Sequence, residues 1–331
     1  MRYRLLNYFL ASVCRAVCIL LAGFAPGAAA ADWKPSRNVE LVVGSTAGGG
    51  NDTLVRVVQK ILTERRLVEV PVTVVNKAGG GGSIAFVYLN QHAGDAHYIA
   101  LAPFNLITNH LTGLSTLHHG DVTAIAQIIS EYTTIMVRAD SPFRTGVEFL
   151  NRLKADPASL SISVGTARGN GPHIALGLAA RAAGVDARRL RTVVFQSGGE
   201  SNLAVMGGHV DAVTSSASNV VSAAGRMRAL AVSAPDRLGG ALAQIPTWRE
   251  QGIDVVLDNW RGIVGPKGLA AAQVAYWEGV FARLAETEEW KRELERYQWG
   301  SSLKGGRELR AYLDVEYQRL RSPLAELGMV K

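Results

Sequence analysis

The chain has 331 residues, 48% apolar and 19% charged, with 35 basic and 28 acidic side chains and a formal net charge of +7. Setting aside an N-terminal leader with Arg2, Arg4, Arg15 and no acids leaves 32 basic against 28 acidic residues; this excess of +4, spread along the chain, argues against a nucleic-acid partner. Both cysteines, Cys14 and Cys18, fall in that leader, so the remainder has no thiol nucleophile, disulfide or cysteine-ligated zinc.

Residues 1–30 read as a cleaved signal peptide. Arginines lead an apolar core over Ala16 to Phe24, and Ala28-Ala29-Ala30 supplies a small-residue cleavage pattern. The core is well short of the ~20 apolar residues that span a bilayer. Export to the periplasm is the expectation. About 300 remaining residues, rich in glycine and β-branched side chains, suit two α/β lobes.

The first unit is the most informative. Val39 to Val43 reads as a buried strand, Gly44-Ser45-Thr46-Ala47-Gly48-Gly49-Gly50 as a loop, and Asn51-Asp52 as the start of a helix with Leu54, Val55, Val58, Ile61 and Leu62 on its apolar stripe. A strand that passes through glycines onto a helix start leaves backbone N–H groups unpaired beside the positive end of the helix dipole, an anion cradle. The outline returns at Val74–Tyr88, Ser161–Ala179 and Val193–Met206.

Further along, Pro71–Val75 and Tyr98–Ala102 read as strands, with a helix over Ser83–Gln91 between them. Alternation at this pitch predicts parallel sheet with crossover helices. Ile125–Ser130 and Thr134–Arg138 are extended and apolar, a first passage between lobes. The second lobe then runs through a helix at Gly146–Ala155, a strand at Leu160–Val164, a helix at Gly171–Ala183, and strands at Val193–Phe195, His209–Thr214 and Leu230–Ser233. Leu257–Val264 returns the chain to the first lobe. The rest is read as mostly helical, near Leu269–Glu286, Glu288–Tyr297 and Arg307–Leu327. The expected lobes are therefore 31–131 with 257–331, and 132–256, facing each other across a cleft that closes by hinge motion.

Several chemistries are excluded by spacing. No phosphate-loop signature occurs, and Thr53 and Ile84 stand where a dinucleotide fingerprint needs glycine. Ser83 lacks the final glycine of a nucleophile elbow. His92, His97, His110, His118 and His119 share one stretch but lack a helical metal pair, and are read as surface histidines with no metal role. No loop clusters the carboxylates that acid–base work requires, so the chain is read as a non-enzyme without cofactors. Ser197 with Glu200 and Thr247 with Glu250 fit capping boxes. The loop Gly165–His173 has more glycine than a turn needs and points to ligand contact, while His173 either meets an anion or braces the loop.

Seven blocks in order resemble the periplasmic solute-binding proteins of tripartite tricarboxylate transporters, the Bug receptors. They are PSRNVELVVGSTAGGGNDTLVRVVQKIL, VTVVNKAGGGGSIAFVYL, SISVGTARGNGPHIALGLAARAAGVD, FQSGGESNLAVMGGHVDAV, AGRMRALAVSAPDRL, IPTWREQGIDV and WRGIVGPKGL. The resemblance implies an α/β, type II periplasmic-binding-protein fold, two lobes with mostly parallel sheets around a central cleft. It also implies a small carboxylate ligand, delivered to a membrane permease by a monomeric receptor. By position, one ligand carboxylate falls to Thr46, Ala47, Gly48, Gly49, Asn51 and Asp52, with Gly81, Gly82 and Ser83. The other end falls to Thr166, Gly169, Asn170, His173, Ser197 and Gly198. Asp52, being negative, is expected to order the loop or a water; Trp260 to pack; Arg168 and Arg261 are candidate countercharges. Many members have a Tyr-Lys/Arg-Gly segment at Phe195-Gln196-Ser197-Gly198-Gly199, and some have Ser at Asn170 or Gly171, so the preferred ligand does not carry over. A sensor that docks its closed form on a histidine kinase is the alternative reading.

Overall fold

Strand β1 (Val39–Val43) buries every side chain but Glu40, as a strand covered on both faces must. It feeds helix α1 (Gly50–Glu64), whose buried face carries the stripe of five aliphatic side chains from Leu54 to Leu62. The computed structural model describes residues 33–223 and 225–330, so the leader and its cysteines lie outside the described residues.

From there the chain runs through β2 (Val72–Asn76), α2 (Ser83–Asn90), β3 (Tyr98–Pro103), α3 (Asn105–Leu111) and β4 (Thr123–Ser130). A second group follows: β5 (Thr133–Arg138), α4 (Gly146–Ala155), β6 (Ser161–Ser163), α5 (Gly171–Ala182), β7 (Arg191–Val193), α6 (Gly198–Met206), β8 (Ala212–Ser216), α7 (Asn219–Ser222) and β9 (Met227–Val232). The last group is β10 (Arg261–Gly265), α8 (Ala271–Glu286), α9 (Glu288–Tyr297), β11 (Gly300–Gly305) and α10 (Gly306–Glu326).

Two sheets result, with strand orders β11-β4-β10-β3-β1-β2 and β7-β6-β8-β5-β9. Strand β1 pairs in parallel with β2 and β3, and β6 in parallel with β7 and β8, each through a crossover helix. The strands that enter from the other sheet, β5 and β10, pair antiparallel with their neighbours. One core packs Phe86, Leu89, Ile107, Trp260 and Leu313 beside the first sheet; another packs Phe149, Leu153, Ile162, Leu176 and Trp248 beside the second.

Two connections join the sheets, and they lie side by side. Glu131 and Tyr132 separate β4 from β5, and the chain returns ahead of β10. The Asn259 N–H donates to the Glu131 carbonyl at 2.7 Å. Ser233 accepts the Thr133 N–H on its hydroxyl at 3.0 Å, and that hydroxyl donates to the Leu257 carbonyl at 3.1 Å.

One element went unread in the sequence and two expectations are corrected. Asn105–Leu111 is helical although unheralded: six of its seven residues are buried, so no polar face marks a 3.6-residue period. Gly300–Gly305, read as part of a helical tail, is an edge strand that completes the hydrogen bonds of β4. His119 is not a surface histidine; it is 2% exposed, packed with His118 and Tyr317 and bonded to Asp314 at 2.8 Å. Among the described residues, no helix is long and apolar enough to cross a membrane, and no group of His, Cys, Asp and Glu could hold a metal.

Candidate functional site

Four glycine-bearing loops gather between the sheets. The loop after β1 ends at Gly49, which caps α1 in extended backbone and offers no side-chain acceptor to the first-turn N–H groups. Its shape is held from below by Asp52, which accepts from the Gly48 N–H at 3.0 Å, Arg56 at 2.8 Å and Asn76 at 2.9 Å. Burial works to raise the Asp52 pKa, but these hydrogen bonds outweigh it and hold the carboxyl below its ordinary range. Asp52 is thereby committed to the loop.

The loop after β2 is built from Gly79 to Gly82, all four at positive φ, a path closed to residues with a Cβ. A Cβ on Gly44 would lie 2.7 Å from the Gly82 Cα, so the first two loops touch backbone to backbone. Asn105 donates its amide to the Gly81 carbonyl, and Asn109 donates to the same carbonyl at 3.0 Å and to the Ser83 hydroxyl at 2.9 Å.

The two second-sheet loops spend their polar side chains internally. Asn170 accepts the His173 N–H at 2.9 Å and donates to the Val164 carbonyl at 2.7 Å, and the His173 Nδ1 accepts the Gly169 N–H at 2.9 Å. His173 therefore braces its own loop. Burial, with Arg168 nearby, pushes its pKa down to about 4, so the imidazole is neutral. Ser197 accepts the Glu200 N–H at 3.1 Å. The Glu200 carboxylate accepts the Gln196 N–H at 3.0 Å and, from the opposite loop, the Thr46 hydroxyl at 2.6 Å. The expected box at Ser197 is therefore only half formed, whereas Thr247 and Glu250 close theirs with mutual bonds of 2.8 and 3.0 Å.

The loops of the two sheets are in contact. A Cβ on Gly199 would stand 2.6 Å from the Gly48 carbonyl oxygen, and one on Gly81 would stand 2.8 Å from the Ala167 Cβ. Behind the Gly48–Gly199 seam lies a cavity of about 60 Å³, entered by Gly49, Gly50 and Asn51 from the start of α1, Thr166 and Asn170 from the third loop, and Gly198 from the fourth. On the other side of Thr166 a wider recess of about 680 Å³ is edged by Gly81, Leu114, Arg168, His173 and Gln196. Of the remaining predicted residues, Thr46, Gly82, Ser83, Gly169 and Ser197 support these loops without lining the small cavity, and Ala47 and Gly48 are exposed at the seam. Trp260 is fully buried against Phe104 and Tyr312.

Three polar side chains on the cavity wall were not anticipated from the sequence, and a fourth is one of the two expected countercharges. Ser45, Asn105 and Asn259 line it, and their Oγ, Oδ1 and Nδ2 atoms are buried with no hydrogen-bond partner. Orphaned buried polar atoms are costly, so a cluster of them marks a place where something polar is meant to bind. The fourth, Arg261, is 6% exposed. Its Nε donates to Asn51 at 2.7 Å, its Nη1 to the Asn259 and Trp260 carbonyls at 2.7 and 3.0 Å, and its Nη2 to Ser216 at 3.1 Å, with Glu131 at 3.5 Å. Four of its five N–H groups donate to protein acceptors, so Arg261 offers the cavity mainly its charge. Burial lowers its pKa from the ordinary value and Glu131 opposes that shift.

Residues 54–293 match the family described as the tripartite tricarboxylate transporter family receptor. The chain belongs to that family. Over 324 residues, 97% of each chain, it is 25% identical to the UPF0065 protein in the gbd 5' region of Cupriavidus necator. Its fold is similar to that of R. palustris Rpa4515 with adipate, at a TM-score of 0.82 and 21% identity over 90% of this chain and 99% of the other. MatC of Rhodopseudomonas palustris with bound malate is similar at a TM-score of 0.76 and 21% identity, over 90% of this chain and 100% of the other. The family comprises solute-binding receptors.

Proposed function

We propose that the protein is an exported receptor that captures a small carboxylate between two hinged lobes and hands it to the membrane permease of a tripartite tricarboxylate transporter. The lobes are residues 31–131 with 257–331, and residues 132–256; residues 1–30 are the signal peptide. One observation carries this reading: the cavity at the uncapped start of α1 holds unpartnered Ser45 and Asn259 polar atoms beside the buried charge of Arg261. Among the described residues lining that cavity, Arg261 alone is ionisable, which suits holding an anion without reacting with it.

The energetics suffice. Hydrogen bonds to a charged group contribute ~1.5–3 kcal/mol each, and a helix start adds ~0.3–1 kcal/mol. Several together, less the cost of ordering the loops, reach the ~8 kcal/mol of micromolar binding. In this proposal the first-sheet loops, from Thr46 to Asp52 and Gly81 to Ser83, seat the carboxylate. Thr166, Gly169, Asn170, His173, Ser197 and Gly198 form or brace the wall at the ligand's far end.

Thermal unfolding of the purified protein against mono-, di- and tricarboxylates tests the reading. A rise in melting temperature of several degrees with at least one acid is expected, since a ligand that binds only the folded state stabilises it. Silence across the panel overturns it. Deletion of the gene should abolish uptake of the same acid; intact uptake with a lost transcriptional response would transfer the role to sensing.

A further inference from the structure

The cavity wall also constrains the chemistry of the ligand next to its carboxylate. Asn105 is 5% exposed, and its Nδ2 is committed to the Gly81 carbonyl, which fixes the orientation of the amide. Its Oδ1 is therefore a pure acceptor, buried on a residue of the cavity wall and without a partner. A carboxylate has nothing to donate, so a ligand that is carboxylate alone leaves this oxygen unsatisfied or repels it. The other two orphans have the opposite preference: Asn259 Nδ2 only donates, and the Ser45 hydroxyl donates readily. The wall thus asks for an acceptor anion and a donor within one small space.

We infer that the ligand is a short 2-hydroxycarboxylate, whose carboxylate meets Asn259, Ser45 and the first-turn amides of α1 while its hydroxyl donates to Asn105 Oδ1. The inference rests on the carboxylate reading above and narrows it. An ammonium would also donate to Asn105, but it would be buried beside the positive Arg261, with no carboxylate on the cavity wall to balance it. A hydroxyl carries no such penalty. Size points the same way. At ~10–15 Å³ for each water-sized occupant, a cavity of about 60 Å³ takes a molecule the length of glycolate or lactate. A longer diacid such as adipate would have to part the Gly48–Gly199 seam or extend past Thr166 into the wider recess.

Calorimetric titration with acids that share a carbon skeleton tests this. Lactate, propionate and free L-alanine differ only in a hydroxyl, a hydrogen and an ammonium at one carbon; glycolate and acetate repeat the first comparison. Lactate is expected to bind at least tenfold more tightly than propionate, glycolate at least tenfold more tightly than acetate, and alanine no better than propionate. In Asn105→Ala the hydroxy-to-deoxy ratio should fall toward one. A change that merely loosened the Gly81 loop would weaken both members and keep their ratio, which would overturn the role of Asn105. Equal affinity for lactate and propionate, equal affinity for lactate and alanine, or a preference for adipate over lactate would overturn the hydroxyacid inference while leaving a carboxylate receptor standing. Silence toward every acid, malate and citrate included, would overturn both.

Discussion

The loop ahead of α1 and the loops ahead of α5 and α6 share an outline of strand, glycines and helix start, yet they end differently. Asn170 and Ser197 turn their side chains back to cap their own helices, so those helix starts are partly satisfied before any ligand arrives. Gly49 has nothing to turn back, and α1 keeps its first-turn donors available. A glycine-rich helix entrance is therefore a binding element only where its cap position lacks an acceptor. Elsewhere the same outline builds a rigid wall for the open entrance to face.

The largest expected effect tests the floor that both kinds of loop share. Arg261→Met leaves Glu131, 2% exposed, without its buried partner, and should cost about 3–5 kcal/mol in urea unfolding. Adding Glu131→Gln should recover much of that loss, because the uncompensated charge is then gone. A single-variant loss under 1 kcal/mol would show that the pair is not what holds the floor together.

Next comes the braced wall. His173 has a folded pKa of about 4, below its unfolded value near 6.5. A depressed histidine pKa means the folded state resists protonation. Its contribution is complete above pH 6.5 and is lost as pH falls toward 4, on the order of 3 kcal/mol in all. Urea midpoints measured from pH 7.5 to 4.5 should fall more steeply in the wild type than in His173→Gln. Parallel curves would remove His173 from the account.

The seam between the two regions gives a smaller effect. In Gly199→Ala the new methyl meets the Gly48 carbonyl at 2.6 Å, and such overpacking costs about 1–3 kcal/mol. That cost should fall on approach of the loops, weakening carboxylate affinity about tenfold to a hundredfold with little change in urea stability of the unliganded protein. The smallest effect separates a cap from a contact. Asn170→Ala should lose about 1 kcal/mol of stability through α5. Asn105→Ala should instead alter which acid is preferred, as read by paired titrations.

Much of this was legible in the sequence because it is local. The run Val39–Val43, the stripe on α1, the helix over Glu288–Tyr297 and the Ser197–Glu200 spacing each declare themselves within a few residues. The elements that escaped are defined by distant partners. Helix α3 has no polar face because it is enclosed, and β11 has little strand character of its own and exists to pair with β4. The orphaned atoms of Asn105 and Asn259 escaped for a related reason. An asparagine is ordinary in sequence, and only the folded surroundings show which of its atoms have been left unanswered.

The locked imidazole has one more consequence. Because Gly169 occupies its Nδ1 and burial keeps it uncharged down to about pH 4, His173 adds no charge to the cleft across mildly acidic surroundings. Acidification would reach this histidine only after most carboxylic acids in solution had begun to take up protons themselves. On that side of the cleft, acid sensitivity of uptake would originate in the cargo and not in the imidazole.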